Sequence, residues 1–199
     1  DFANIEKNAV HMPDMEAAEK AVAYIEKLKE EGDSAGGIVE CVISGVPAGL
    51  GEPVFDKLDA RLAAAVMSIG AVKGFEIGDG FGAAFARGSV NNDSFAVDGE
   101  GNVIKRTNHA GGVLGGISDG DRIVFRAAVK PTPSISMKQF TVSRDHEDRD
   151  ISIVGRHDPV VVPRAVVVVE TMAATVIADM LLKNMSSRID RIKKFYDKI

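Results

Sequence analysis

The stretch TNHAGGVLGGISDGDRIVFRAAVKPTPSI, residues 107–135, carries the reading of this chain. It sets a histidine among five glycines, runs into the apolar segment Ile123–Val129, and closes on Lys130-Pro131-Thr132-Pro133-Ser134. Glycines gather like this where the backbone needs positive φ or where another group must approach it closely. The apolar segment, bounded by turn formers, reads as a strand. A second stretch, GRHDP at 155–159, supplies charges that the first mostly lacks. The two loops are expected to meet around a phosphorylated ligand.

Upstream, Asp14 is placed to cap a helix running to about Glu31, with Ala18, Val22, Ile25 and Leu28 on one stripe and Gly32 as its stop. Ile38–Ser44 is β-branched enough for a strand. GVPAGLGEP, 45–53, is a tight connection, and Pro53 suits the first turn of a helix reaching Met67. Gly70-Ala71 then leads into a strand over Val72–Ile77. Small residues at that junction serve close packing, or let a flat ligand lie on the backbone. Residues 78–88 read as a glycine-rich crossing anchored by Phe81 and Phe85, and residues 90–105 as a polar, flexible excursion.

Downstream, Lys138–Ser143 and Asp150–Val154 read as two arms of a hairpin around a charged turn at 144–149. A long helix from Pro163 to Lys183 is apolar nearly all round, as a buried central helix would be. Arg164, Glu170 and Asp179 interrupt it, which argues against a membrane span. Residues 186–199 form an amphipathic tail. Helices and strands alternate early, strands cluster, and helices close the chain. That order predicts a single domain of mixed α/β class, layered, with partly antiparallel sheets and a buried C-terminal helix.

Composition narrows the chemistry. With 199 residues the chain can bury a real core, and its one cysteine, Cys41, excludes an internal disulfide and points to a reducing compartment. The net charge of −5 argues against general nucleic-acid binding. Residues 1–100 carry 8 basic and 18 acidic side chains, whereas 101–199 carry 16 and 11, so the second half is positive. It could draw an anionic ligand, or simply end in a basic tail. Four scattered histidines without i,i+4 spacing offer no metal site.

Lys130 with Thr132 and Ser134, stiffened by Pro131 and Pro133, can cradle a phosphate or a flavin edge, or can be a fixed turn. His109 can meet a ligand or be satisfied internally. Arg156 offers a planar fork for phosphate or carboxylate, and Asp158 can accept a proton or orient a neighbour. Alternatively, Arg156 and Asp158 pair and cap the long helix.

The segments GVPAGLGEPVFDKLDARLAAAVMSIGAVKGFEIGDGF (45–81), TNHAGGVLGGISDGD (107–121), KPTPSI (130–135) and GRHDPVVVPRAV (155–166) together resemble chorismate synthase, in order, over residues 8 to 183 or so. The resemblance implies a β-α-β sandwich and an anti-1,4-elimination of phosphate from 5-enolpyruvylshikimate 3-phosphate. It implies reduced FMN as cofactor, NADP among the associated cofactors, and a cytoplasmic homotetramer with no nucleic-acid or membrane partner. Carried over by motif, Gly70, Ala71, Gly115 and Lys130, Pro131, Thr132, Pro133 and Ser134 line the FMN pocket. Arg156 contacts flavin and substrate, and Asp158 assists proton handling. The likeness covers the C-terminal half or so of the family, so this chain alone is expected to be inactive. Gly70 also departs from the asparagine common at that position. Another reading is a non-catalytic FMN- or phosphate-binding module, or an assembly piece.

Overall fold

The computed structural model describes residues 1–155 and 157–197. In chain order its elements are α1 (Met15–Glu31), β1 (Gly37–Ile43), α2 (Leu58–Met67), β2 (Val72–Ile77), α3 (Gly88–Asn91), β3 (Phe95–Val97), β4 (Val103–Lys105), β5 (Val113–Leu114), β6 (Ile117–Ser118), β7 (Ile123–Val129), β8 (Gln139–Val142), β9 (Asp148–Ile151), α4 (Val162–Met185) and α5 (Ile189–Tyr196). The fold is mixed α/β. One sheet has the order β1-β7-β2, and three hairpins, β3-β4, β5-β6 and β8-β9, are each antiparallel. Backbone contacts group the chain into two compact units, Asp1–Val39 with Ala128–Val167, and Glu40–Ala127 with Val168–Ile199.

In the first unit, the Asp14 carboxylate accepts the N–H groups of Glu16 and Ala17 at 2.9 and 3.2 Å, satisfying two donors that a helix start leaves free. Gly32, at φ 70°, turns the chain out of α1, as only glycine does at low cost. The expected stripe is thinner than its spacing suggested: Ala18 and Leu28 are buried, but Val22 is exposed.

In the second unit, Leu58, Leu62 and Val66 of α2 are wholly buried at i, i+4 and i+8. β7 alternates Ile123, Phe125 and Ala127 inward with Val124 and Arg126 outward, the period of a strand with one packed face. Phe125 stacks on Phe75 of β2 at 5.2 Å, and on the other face Arg126 Nε donates to Glu76 at 2.9 Å. These are cross-strand pairs of the kind that fix register.

Four expectations need correction. The second helix starts at Leu58, not Pro53, because Phe55 takes φ 61° and Glu52 N–H bonds the Asp56 carbonyl at 3.1 Å, making a turn there. Phe81 and Phe85, expected as anchors, are 79 % and 91 % exposed, so neither is buried against the described residues. The hairpin arms are shorter and shifted, with its turn between Val142 and Asp148. The long helix α4 buries one face, Ala165, Val169, Ala173, Val176, Ile177 and Met180, while Val168, Leu181, Leu182 and Met185 are exposed. An all-round apolar helix needs cover on every side, and this chain supplies one. By length and apolarity alone α4 could cross a bilayer, a test that core helices also pass.

Candidate functional site

The glycine run belongs to the second unit and forms the β5-β6 hairpin. Gly115 and Gly116, at φ 59° and 88°, are its two turn residues, and positive φ at both is what a two-residue hairpin matched to strand twist demands. The two glycines then part company. Gly116 is buried, and a Cβ there would stand 2.6 Å from the Glu52 carbonyl oxygen. Gly115 is exposed, with nothing within 4 Å of where its Cβ would be. The hairpin therefore presents one bare peptide outward.

The connection at 45–53 holds this hairpin from one side. Ser118 Oγ donates to the Pro47 carbonyl at 2.7 Å and accepts the Leu50 N–H at 2.9 Å, while Ser118 O accepts the Gly49 N–H at 2.8 Å. GVPAGLGEP and GGIS thus meet at Ser118, through its buried hydroxyl and its backbone. The sequence separates them by about seventy positions and gave no local sign of the pairing.

Gly70 and Ala71 lie in the same unit, in a turn closed by the Val72 N–H on the Ile69 carbonyl at 3.2 Å. The left-handed residue is Ala71, at φ 70°, although a glycine stands beside it. A left-handed alanine costs about 1–2 kcal/mol, and such strain concentrates at ligand sites. Gly70 has open space where a Cβ would be. Close packing therefore does not explain the glycine at position 70.

His109 is satisfied internally. Its Nδ1 stands 2.7 Å from Asp79 Oδ2, and because a carboxylate accepts, Nδ1 carries the proton. Asn91 donates to the same oxygen at 3.3 Å.

The first unit holds the other candidates. Lys130 is exposed, and the loop it opens is seated on residues 34–36: Ser34 Oγ donates to the Thr132 carbonyl at 2.7 Å, and a Cβ on Gly36 would stand 2.3 Å from the Val129 carbonyl oxygen. Pro133 O accepts the Ile135 N–H and the Gln139 side chain at 3.1 and 3.0 Å. The same short segment reaches the second charged stretch, where the Ala35 N–H donates to Pro159 O at 2.9 Å and Ala35 bridges Val160 in parallel. Ser34, Ala35 and Gly36 thus link Lys130–Ser134 to Pro159 and Val160, a connection the sequence did not announce.

Asp158 is paired with Arg164 in the first turn of α4, at 2.8 Å. Arg156 lies outside the described residues. His157 Nε2 donates to Ile153 O at 2.7 Å and so braces its own loop. Among the described residues no group of three or more His, Cys, Asp or Glu side chains is placed to hold a metal ion. Cys41 is half-buried, and burial, reinforced by Glu170, pushes its thiol up to about 11, away from reactivity.

Comparison with known proteins matches residues 2–182 to the family described as chorismate synthase. The chain is 61% identical over 195 residues to the chorismate synthase of Lachnoclostridium phytofermentans, covering 98% of this chain and 53% of that protein. It is 58% identical over 182 residues to that of Methanosarcina barkeri, covering 91% and 50%. A solved structure entitled "Crystal Structure of Chorismate Synthase" superposes with a TM-score of 0.75 at 35% identity, over 98% of this chain and 52% of that one. The chain spans about half the length of the curated relatives it matches.

Proposed function

The chain belongs to the chorismate synthase family, and from that premise we propose that it forms part of an enzyme eliminating phosphate from 5-enolpyruvylshikimate 3-phosphate to give chorismate. The observation that carries this is the family match across residues 2–182, which takes in all four of the segments singled out from the sequence.

The residues present fit a flavin. Gly115 and Gly70 leave bare backbone where a planar ring could lie, and Ala71 holds a strained conformation beside one of them. Exposed Lys130, on a loop that two prolines stiffen and Ser34 anchors, offers a cation for a phosphate group. In this reading Gly70, Ala71, Gly115 and Lys130–Ser134 hold FMN, and Arg156 contacts flavin and substrate. Asp158 moves a proton, its carboxylate oriented by Arg164. Reduced FMN held by these residues would supply transient electron density for the elimination. On the same resemblance the whole protein is a cytoplasmic homotetramer.

An elimination that expels phosphate needs several cations around the leaving group. Relatives about twice as long have room for them outside the matched segment. The 199-residue chain by itself is therefore inactive. Assay of chorismate formation by the isolated chain with reduced FMN tests this: no turnover is expected, and turnover near that of a full-length relative would overturn it.

A further inference from the structure

The polar segment between α3 and the glycine run contains the most deeply buried ion cluster among the described residues. Lys105 closes β4, and its side chain is 3 % exposed. Its ammonium lies 2.6 Å from Asp119 Oδ2, 3.3 Å from Asp121 Oδ2 and 3.9 Å from Asp93 Oδ2, and donates to Asn108 Oδ1 at 3.2 Å. Asn108 and Asp119 are the two feet of the β5-β6 hairpin. Asn108 Oδ1 also accepts the Gly112 N–H at 2.8 Å, and the Asp119 N–H donates to Gly112 O at 3.1 Å. One ammonium thus ties both feet together.

Asp93, just before β3, holds the approach to the first foot. Its carboxylate accepts Thr107 Oγ1 and the His109 N–H, both at 2.7 Å, and the Ala110 N–H at 2.9 Å. The β3-β4 hairpin therefore acts as a post, with Asp93 at one base and Lys105 at the other. Ser118 and Gly116 hold the far side of β5-β6. Two independent supports converge on a hairpin whose exposed tip is Gly115.

We propose that Lys105 is a positioning residue that, through Asn108 and Asp119 and together with Asp93, fixes the Gly115 tip for a ligand lying on its bare peptide. This rests on the reading that Gly115 meets FMN. A buried cation among carboxylates contributes little net stability, so its use lies in the single arrangement that it permits.

The test compares Lys105→Met and Thr107→Val with the unaltered chain. Amide hydrogen exchange is followed at residues 113–118 and in β7, and FMN affinity is measured by fluorescence titration. Exchange at 113–118 is expected to speed at least tenfold in Lys105→Met and about threefold in Thr107→Val, with β7 unchanged. FMN Kd is expected to rise about tenfold in Lys105→Met. Unchanged exchange at 113–118 in a folded variant overturns the proposal, as does unchanged FMN Kd. Should Lys105→Met not fold, Thr107→Val decides by the same two measurements. Failure of the unaltered chain to bind FMN strikes the flavin reading instead, and exchange alone then judges the clamp.

Discussion

The Gly116 carbonyl accepts the Leu58 N–H at 2.8 Å, so the glycine hairpin caps the start of α2. Lys57, the residue in the capping position, has no side-chain acceptor for the helix N–H groups, and its ammonium pairs with Asp59 at 3.2 Å instead. A helix start without such a partner leaves donors unpaired. Here a turn from sixty residues away supplies one.

Gly116→Ala should destabilise the fold by about 2 kcal/mol or more, because the left-handed backbone and the contact with Glu52 O both oppose a Cβ. Gly115→Ala, at a similar φ but in open space, should cost only about 1 kcal/mol. Urea denaturation of the two variants measures the difference, and equal losses would refute the assigned asymmetry.

Ala71→Gly should stabilise the isolated chain by up to about 1 kcal/mol, since glycine takes positive φ freely and repays only part of this in chain entropy. Chemical denaturation reads the gain, and FMN titration reads its consequence. A more stable variant with unaltered affinity would show that the left-handed alanine serves the turn alone.

The pH response of the hairpin follows from Asp93 and Lys105. Burial alone would raise the Asp93 pKa, but the N–H groups of Ala110 and His109, the Thr107 hydroxyl and the Lys105 charge outweigh it and hold the carboxyl below its ordinary value. Its contribution is therefore present above the unfolded carboxylate value, about 4, and is lost as pH falls through the lower folded one. Burial alone would lower the Lys105 pKa, but hydrogen bonds and charge from Asp119 and Asp121 leave it raised. That contribution is complete below the unfolded lysine value, about 10.4, and is lost as pH rises through the higher folded one. Stability profiles of wild type and Asp93→Asn should differ least below pH 4, and a gap that persists undiminished into strong acid would contradict this.

How much was legible in the sequence divides along one physical line. Asp14, Gly32, β2 and β7 were readable because their determinants are local: a cap, a left-handed stop, a run of β-branched and apolar residues. The start of α2 was misplaced because Phe55 adopts a backbone that its own identity does not announce. Residues 90–105 read as a flexible excursion, since turn residues say nothing of Asp93 and Lys105 meeting a loop beyond them. At the candidate site, the motifs named Gly115 and Lys130–Ser134 as candidates. The contacts that seat them, Ser34 to Thr132 and Ser118 to Pro47 and Leu50, join residues distant in sequence, and no local pattern announces them.

Cys41 should resist modification. With its pKa near 11, its thiolate fraction at pH 8 is about two orders of magnitude below that of a free thiol. Iodoacetamide labelling followed by mass spectrometry checks this, and a free-thiol rate in the folded chain would contradict it.

The most direct measurement replaces the matching segment of the Lachnoclostridium phytofermentans relative, 61% identical, with this chain, and follows chorismate and phosphate release from 5-enolpyruvylshikimate 3-phosphate under reduced FMN. Turnover by the hybrid is expected, with its loss on Asp158→Ala and none by the 199-residue chain alone. A folded hybrid that binds FMN yet releases no phosphate would contradict it.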